Sequence, residues 1–546
     1  MSCCDAFDGF SADGNASSIS PCRLSRAGGR GFTLGGMRTA IRGAWRRAVG
    51  IVLVAASMAA VAGAAAPKAD PAALDSAAFL LTEAITVSRD RGYHEMLRAL
   101  RHLRDPGLSP LFEHIAASDR PVLQIHGILG LGEVASPRKV DLKRVAAMTD
   151  PLAQAELISA ALDDNLLDTA DCGQLVSSTG LDESVRLLVA NELLRRGERV
   201  PDDLLSGALT SENVGRRALA GLMLLQLADP RGASALAEVD ALEPGKRDGV
   251  RLMVLDTALK YEFDKVGPWA LTVAKSEGLD ARLSALALRA AMRYGGPAGE
   301  DVWLARYDAT EDPAEQMRLA LAALKLSMHI GPRPLAKLAG SDDPLLKQIG
   351  KAGQAVAAKK DIAPAMIGLV QMHNPVSNRL VMGYANEDAS ADDATLIFLS
   401  LILAYDGAPD AVKGTLLDDA IMSAQLLYEK SPESAAAMLG PIIGDPATDE
   451  KLVQAVLLGL VRTQEPGAER VIAGLPPMSN PHHAKIALLL RAKSAQALSA
   501  EELEQLSLLV RGGGRLQEPL RAQAAWAYVT RTGQVQAVLQ RVLGGR

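Results

Sequence analysis

The sequence predicts an all-α fold, an α-solenoid in which antiparallel helix pairs stack into a superhelix, and three observations predict it. A helix, a tight turn and a second helix can be read in Gly215–Val239, GRRALAGLMLLQLADPRGASALAEV. Variants of this unit recur at a near-constant interval along most of the chain, and few strand or hairpin signals interrupt them.

In the first half of the unit, Ala218, Leu219, Leu222, Leu225 and Gln226 fall at helical spacing, and Met223, Leu224 and Leu227 widen the apolar band beyond one stripe. Such a helix must be covered on two or three sides. Asp229-Pro230 ends it, because the proline ring clashes with a helical residue before it, and Asp229 is placed to cap a new helix with Pro230 in its first position. Gly215 and Gly221 cost the helix about 1 kcal/mol each against alanine, which is accounted for if a neighbouring helix approaches closely.

Residues that open comparable pairs are Arg91, Pro121, Pro151, Glu183, Glu212, Lys246, Leu279, Pro313, Pro344, Asp393, Asp449, Pro481 and Pro519, and the first nine stand 29 to 34 residues apart. Turns similar to Asp229-Pro-Arg-Gly occur at Asp105-Pro-Gly, Gly296-Pro-Ala-Gly, Gly331-Pro-Arg-Pro, Gly407-Ala-Pro-Asp and Glu465-Pro-Gly. Five segments are expected: a leader and signal peptide over 1–66, a linker and N-terminal capping helix over 67–90, a first repeat block over 91–358, an irregular joint over 359–393 and a second block over 394–546. The joint is read from Pro364, Asn374-Pro375 and the acidic run Asn386–Asp393. Within 67–90 the capping helix covers Ala72 to Arg89, with a face of Leu74, Ala78, Leu81 and Ile85 that needs a single neighbour. A last helix over Val535–Leu543 caps the other end.

These units resemble HEAT repeats of the armadillo-like class, in the short Gly-Asp-Pro-turned bacterial form that is also found in phycobilin lyases. The resemblance covers Arg91 to the C-terminus. It implies a superhelix with a concave face lined by the second helix of each pair, which serves as a binding surface. Tetratricopeptide repeats have a closer period, but their pattern asks for aromatic residues that this chain lacks.

Arg38, Arg42, Arg46 and Arg47 precede an apolar run from Val49 to Ala62, and Ala62-Gly-Ala64 offers small residues for cleavage. That order is the one found in a secretory signal peptide, with Met37 as its start and residues 1–36 as an upstream extension. The run is shorter than the ~20 apolar residues a spanning helix needs, so a membrane association is expected only if the segment is not cleaved. The expected location is the periplasm or the cell surface of a bacterium. Taking off residues 1–64 removes seven Arg and three acidic residues from 58 basic and 64 acidic ones, leaving 51 against 61 and a net charge near −10. An acidic surface of mixed charge argues against a nucleic-acid partner. Cys3, Cys4 and Cys22 leave with the leader, so Cys172 stands alone and no intrachain disulfide is expected.

Candidates for chemistry are few. His94, His102, His114 and His126 fall close together, yet His94 and His102 on one helix would be about 12 Å apart, too far to share a metal. His482 and His483 are adjacent and point in different directions on a helix. Asp388, Ser390, Asp392 and Asp393 alternate as at the start of a calcium loop, but Asp393 stands where that loop needs Gly and Leu399 where it needs Glu. No metal, cofactor or catalytic residue is assigned. Six of the fifteen aromatic residues beyond Ala64 lie between Tyr261 and Tyr307. Trp303 and Tyr307 share a helix face, and Trp269 lies one period before Trp303. If second helices line the groove, Trp269, Trp303 and Tyr307 form an aromatic strip there, with Arg306 at its edge for an acidic partner; if they fill the core, no strip is exposed.

The function expected from the sequence is therefore an exported, non-catalytic scaffold that presents a groove to a protein or peptide. Two alternatives stay open: a ligand-handling, lyase-like factor, and an envelope-tethered assembly protein with tetratricopeptide-like repeats. N-terminal sequencing of exported material is expected to find a mature chain that begins near Ala65, and a start that retains Arg46-Arg47 overturns the signal-peptide reading.

Overall fold

The computed structural model describes residues 69–86, 91–463, 472, 475, 477–494, 497–512 and 517–544. Met37, the Val49–Ala62 run and the Ala62-Gly-Ala64 site lie outside the described residues, as do the Glu465-Pro-Gly turn and most of Arg511–Arg515. Of the described residues 76% are helical and none is in a strand, and the chain is an all-α solenoid of adjacent helix pairs.

The chain divides into two compact units, one of residues Arg101–Leu490 and one that joins the described residues up to Leu100 with those from Arg491 onward. In the larger unit the pairs run in order: Pro121–Val134 with Leu142–Ala147, Pro151–Asp163 with Thr169–Ser177, Glu183–Arg195 with Asp202–Leu209, and Val214–Gln226 with Pro230–Asp240. They continue as Pro244–Tyr261 with Gly267–Ala274, Ala281–Tyr294 with Pro297–Ala309, Pro313–Lys325 with Pro332–Ala339, and Pro344–Ala358 with Ile362–Val370. Pro375–Glu387 with Ala391–Leu403 and Asp410–Lys430 with Pro432–Gly444 follow, then helices Glu450–Arg462 and Pro481–Lys493.

Most first helices have a defined start, and several a defined stop. Asp150, Asp182, Asn213, Asp280, Asp312, Asp343, Asn374 and Asp449 all accept a hydrogen bond from a backbone N–H of the turn they cap. At Pro151, Pro313, Pro344 and Pro375 the next residue is a proline, whose missing N–H costs nothing at that position. At the other end, the N–H groups of Leu166, Glu198, Asp229, Phe263 and Lys360 reach back five residues to Ala161, Leu193, Leu224, Ala258 and Ala355. The residue before each of these donors, Asn165, Gly197, Ala228, Glu262 and Lys359, is in the left-handed region, as this type of helix end requires.

The two helices of a pair are buried to different extents. In Val214–Gln226 the consecutive residues Ala220, Gly221, Leu222, Met223 and Leu224 are all buried, so the helix is covered on every side. In its partner Pro230–Asp240 only Gly232, Ala235, Leu236 and Val239 are buried, a single face. In this pair the first helix is sandwiched, and the second lies over it. One apolar core runs without a break from Ile125 to Val266.

Two expectations about organisation are corrected. The irregular joint over 359–393 is a regular part of the stack, in which Ile362–Val370 completes the pair opened by Pro344 and Pro375–Glu387 opens the next. Asn374-Pro375, expected to break the period, is an Asn cap and a first-turn proline. Only Asp388, Ala389 and Ser390 of the acidic run lie between helices, and Ser390 caps Ala391–Leu403, a second helix and not the start of a new block. The N-terminal helix Pro71–Thr86 is no end cap with one neighbour, because in the smaller unit it packs against Ala500–Val510, Glu518–Arg531 and Val535–Gly544. The Asp70 N–H donates to the Tyr528 hydroxyl at 2.7 Å, the Ser507 hydroxyl donates to the Asp70 carboxylate at 3.2 Å, and Arg541 pairs with Asp75 at 2.7 Å.

Close approach within a pair is set by glycine. A Cβ on Gly232 would stand 2.6 Å from the carbonyl oxygen of Gly221 and 2.7 Å from the Leu225 Cα, positions that only a shift of backbone could relieve. Gly232→Val is therefore expected to lower stability by about 1–3 kcal/mol or more, read as a fall in the urea midpoint; an unchanged midpoint would show that the two helices are not held this close.

Candidate functional site

Helix Glu183–Arg195 contacts helix Pro244–Tyr261 although a whole pair lies between them, and Pro313–Lys325 contacts Pro375–Glu387 in the same way. Elements two pairs apart can meet only on the inside of a curve. First helices therefore line the inner side of the stack in these stretches, which corrects the expectation that second helices do so.

The C-terminal ends of these first helices carry the site. Here the chain leaves the helix, with a left-handed residue at Asn165, Gly197 and Glu262, and the residues at these ends lie beyond the apolar contacts and can be charged. Around the first meeting point stand Asp163, Glu192, Arg195, Arg196 and Lys260. Burial works to raise the Glu192 carboxyl, but Arg195 at 2.5 Å and Arg196 at 2.6 Å outweigh it and hold the group below its usual range. Burial raises Asp163, and the field of Lys260 opposes this. Lys260 lies 5.4 Å above the ring of Tyr261, a buried side chain of the same helix end.

Around the second meeting point stand Glu262, Arg293, His329, Glu387, Asp388 and Lys430. Arg293 pairs with Glu262 at 2.6 Å and lies 5.3 Å above the Tyr294 ring. The Lys430 ammonium donates to the carbonyls of Ala385 at 2.6 Å and Asn386 at 3.0 Å. His329, Glu387 and Asp388 are exposed, yet the surrounding protein lowers the His329 imidazole and raises both carboxyls. Groups that water can reach but that protein surrounds lie in a concave surface. Arg293 adds to the lowering at His329, while His329 and Lys430 oppose the rise at Asp388. The result is a recessed strip on which acidic and basic side chains from successive pairs alternate.

The aromatic strip expected over Trp269, Trp303 and Tyr307 is not a surface. Trp303 is fully buried, its indole N–H donates to the Leu319 carbonyl at 3.0 Å, and it stacks on Tyr307 with ring centroids 4.8 Å apart. Tyr307 is buried as well. Helix Pro297–Ala309 buries the face that carries Gly299, Glu300, Trp303 and Tyr307, so the shared face turns inward to the core. Trp269 is half-buried and donates to Asp240 at 3.0 Å, a carboxylate that also takes Arg251 at 2.7 Å. Arg306 is held by Glu315 at 2.6 Å and by the Ser284 hydroxyl at 2.5 Å. A partner can reach neither Trp303 nor Tyr307, and Arg306 is engaged within the fold.

The remaining candidates have structural places. His126 Nδ1 lies 3.3 Å from the guanidinium of Arg101, which forms a buried two-point pair with Glu133 at 2.6 and 3.1 Å. His482 lies 3.1 Å from the Gln454 amide. Cys172 is buried, which pushes its thiol up to about 11. Among the described residues no group of three or more His, Cys, Asp or Glu is placed to hold a metal ion. The inner strip leaves only a faint trace in the sequence, charged residues near the ends of several first helices.

Trp303→Ala is expected to cost about 3–5 kcal/mol, the value for a buried Trp truncated to alanine, read by denaturant unfolding. A loss below about 1 kcal/mol would return this side chain to the surface.

Comparison with protein-family models gives no match for this chain, and comparison with curated proteins gives none either.

Proposed function

We propose that this protein is an exported, non-catalytic scaffold of HEAT-like repeats that holds a polypeptide partner along the inner ends of its first helices. The observation that carries this is the set of accessible but protein-surrounded charges at Glu262, Arg293, His329, Glu387, Asp388 and Lys430. Ionic contacts made in a recess are less screened than contacts on an open surface. Alternating signs suit a partner that carries both signs, since a like charge set opposite any one of them is penalised. A strip supplied by several pairs also fits an extended chain better than a compact small molecule.

The test is affinity purification from native envelope with the wild type and with a Glu262→Lys, Asp388→Lys double variant. Both positions are exposed, so the variant is expected to fold with an unchanged melting temperature. Polypeptides retained by the wild type are expected to fall at least tenfold with the variant and to be released by salt. The same set of proteins kept by a folded variant overturns the reading, and recovery of a small molecule in place of a polypeptide supports the ligand-handling alternative.

A further inference from the structure

We propose that the seam between helices Pro375–Glu387 and Asp410–Lys430 is a pH-sensitive joint, closed while Asp419 carries a proton and loosened when the proton is lost. The inference stands apart from the reading of the inner strip.

Helix Asp410–Lys430 presents Leu416, Asp419, Ala420, Ser423 and Leu427 at core spacing, and all five are buried. A carboxylate at a core position is costly unless it is well paired. Asp419 is only 4% exposed, and its nearest cation is Arg379 on the facing helix, with Nε 3.9 Å from Oδ1, beyond hydrogen-bond length. Its second oxygen, Oδ2, has no hydrogen-bond partner. Ser423, one turn further on, also lacks a partner for its hydroxyl, and both amide atoms of the fully buried Asn378, next to Arg379, lack partners.

This polar layer suits a carboxylic acid better than a carboxylate. A proton on Asp419 removes a buried charge that is offset only by a cation at 3.9 Å and whose Oδ2 has no hydrogen-bond partner. Burial pushes the Asp419 carboxyl up to about 7; the Arg379 charge works against this and Asp418 adds to it. The other helices packed on Asp410–Lys430 bring charges only near their ends: Asp392 and Asp393 on Ala391–Leu403, Glu433 on Pro432–Gly444, and Glu450, Lys451 and Arg462 on Glu450–Arg462. On Pro375–Glu387, Glu387 is at the far end, where Lys430 is fastened to the carbonyls of Ala385 and Asn386.

The folded-state value lies above the unfolded one, so the stability from this group is fully present below about pH 4 and is lost as pH rises to about 7. Over that window one proton is released on opening, and the opening constant rises up to about tenfold per pH unit. Because Lys430 pins one end, the loosening is confined to the half of the seam that holds Asn378, Asp419 and Ser423. The joint lies between consecutive first helices of the stack.

Hydrogen exchange of the full protein between about pH 5 and 8, corrected for the intrinsic rate, tests this. In the wild type, protection of Pro375–Glu387 and Asp410–Lys430 is expected to fall with pH while that of Glu183–Arg195 does not. Asp419→Asn should abolish the dependence at the seam and raise the melting temperature at pH 8. Arg379→Gln keeps the carboxyl but removes the opposing cation, so the midpoint should move to higher pH. A wild-type pH dependence retained in Asp419→Asn overturns the proposal; if that variant fails to fold, an unmoved midpoint in Arg379→Gln does so.

Discussion

Everything in this fold follows from helices that are apolar on every side. A helix such as Val214–Gln226, with five consecutive buried residues, cannot be satisfied by one partner, since each uncovered face would leave leucine and methionine in water at about 25 cal/mol per Å². It needs a second helix over one side and a first helix on each of the others. That requirement fixes the stacking, makes the core continuous from one pair to the next and leaves second helices with a single buried face. It also explains the glycines at the crossings, where two backbones approach to distances that a side chain would not permit.

The same constraint determines where charge can go. With much of their sides occupied, first helices carry charge freely at their ends, several of which are closed by a left-handed residue, as at Asn165, Gly197, Glu262 and Lys359. The inner strip is in this sense a by-product of helix termination. Pairing differs along it: Glu192 is clamped by two arginines, whereas Asp388 and His329 act on one another through a field and stay open to an outside partner. Asp419 is a buried acidic group on the side of a first helix, and the structure around it is correspondingly under-satisfied.

Fold class could be read from the chain because its signals are local. A helix begins within two residues of each opening expected from Asp, Pro and periodicity, although the one at Asp393 begins a second helix. Errors arose where a local signal has two meanings. Asn374-Pro375 both breaks and starts helices, and only the tertiary stack shows that it does the latter. The stops were less visible than the starts, because Asn165, Ala228, Glu262 and Lys359 occupy left-handed positions where glycine would have announced them. Trp303 and Tyr307 do share a face, as spacing indicated, but spacing says nothing about whether that face meets solvent or the next helix. Curvature, and so the identity of the inner layer, depends on contacts between residues some sixty positions apart and has no local signature. The polar layer at Asn378, Asp419 and Ser423 did leave a trace, two polar residues at core spacing in one helix.

The smaller unit has a consequence for how the chain reaches its final form. Asp70 and Tyr528 touch across 458 positions of sequence, and among the described residues helix Pro71–Thr86 packs most closely on three helices that begin at Ala500 or later. During synthesis this helix emerges well before its partners. Its buried face of Leu74, Leu80, Leu81 and Ile85 must therefore wait, uncovered, while some four hundred residues are added. The loop-closure entropy for so long a separation grows only logarithmically, so the difficulty is one of time and exposure, not of equilibrium. For that interval the N-terminal helix is an adhesive segment, a natural point for a holding chaperone to engage and a point at which two nascent copies could exchange ends.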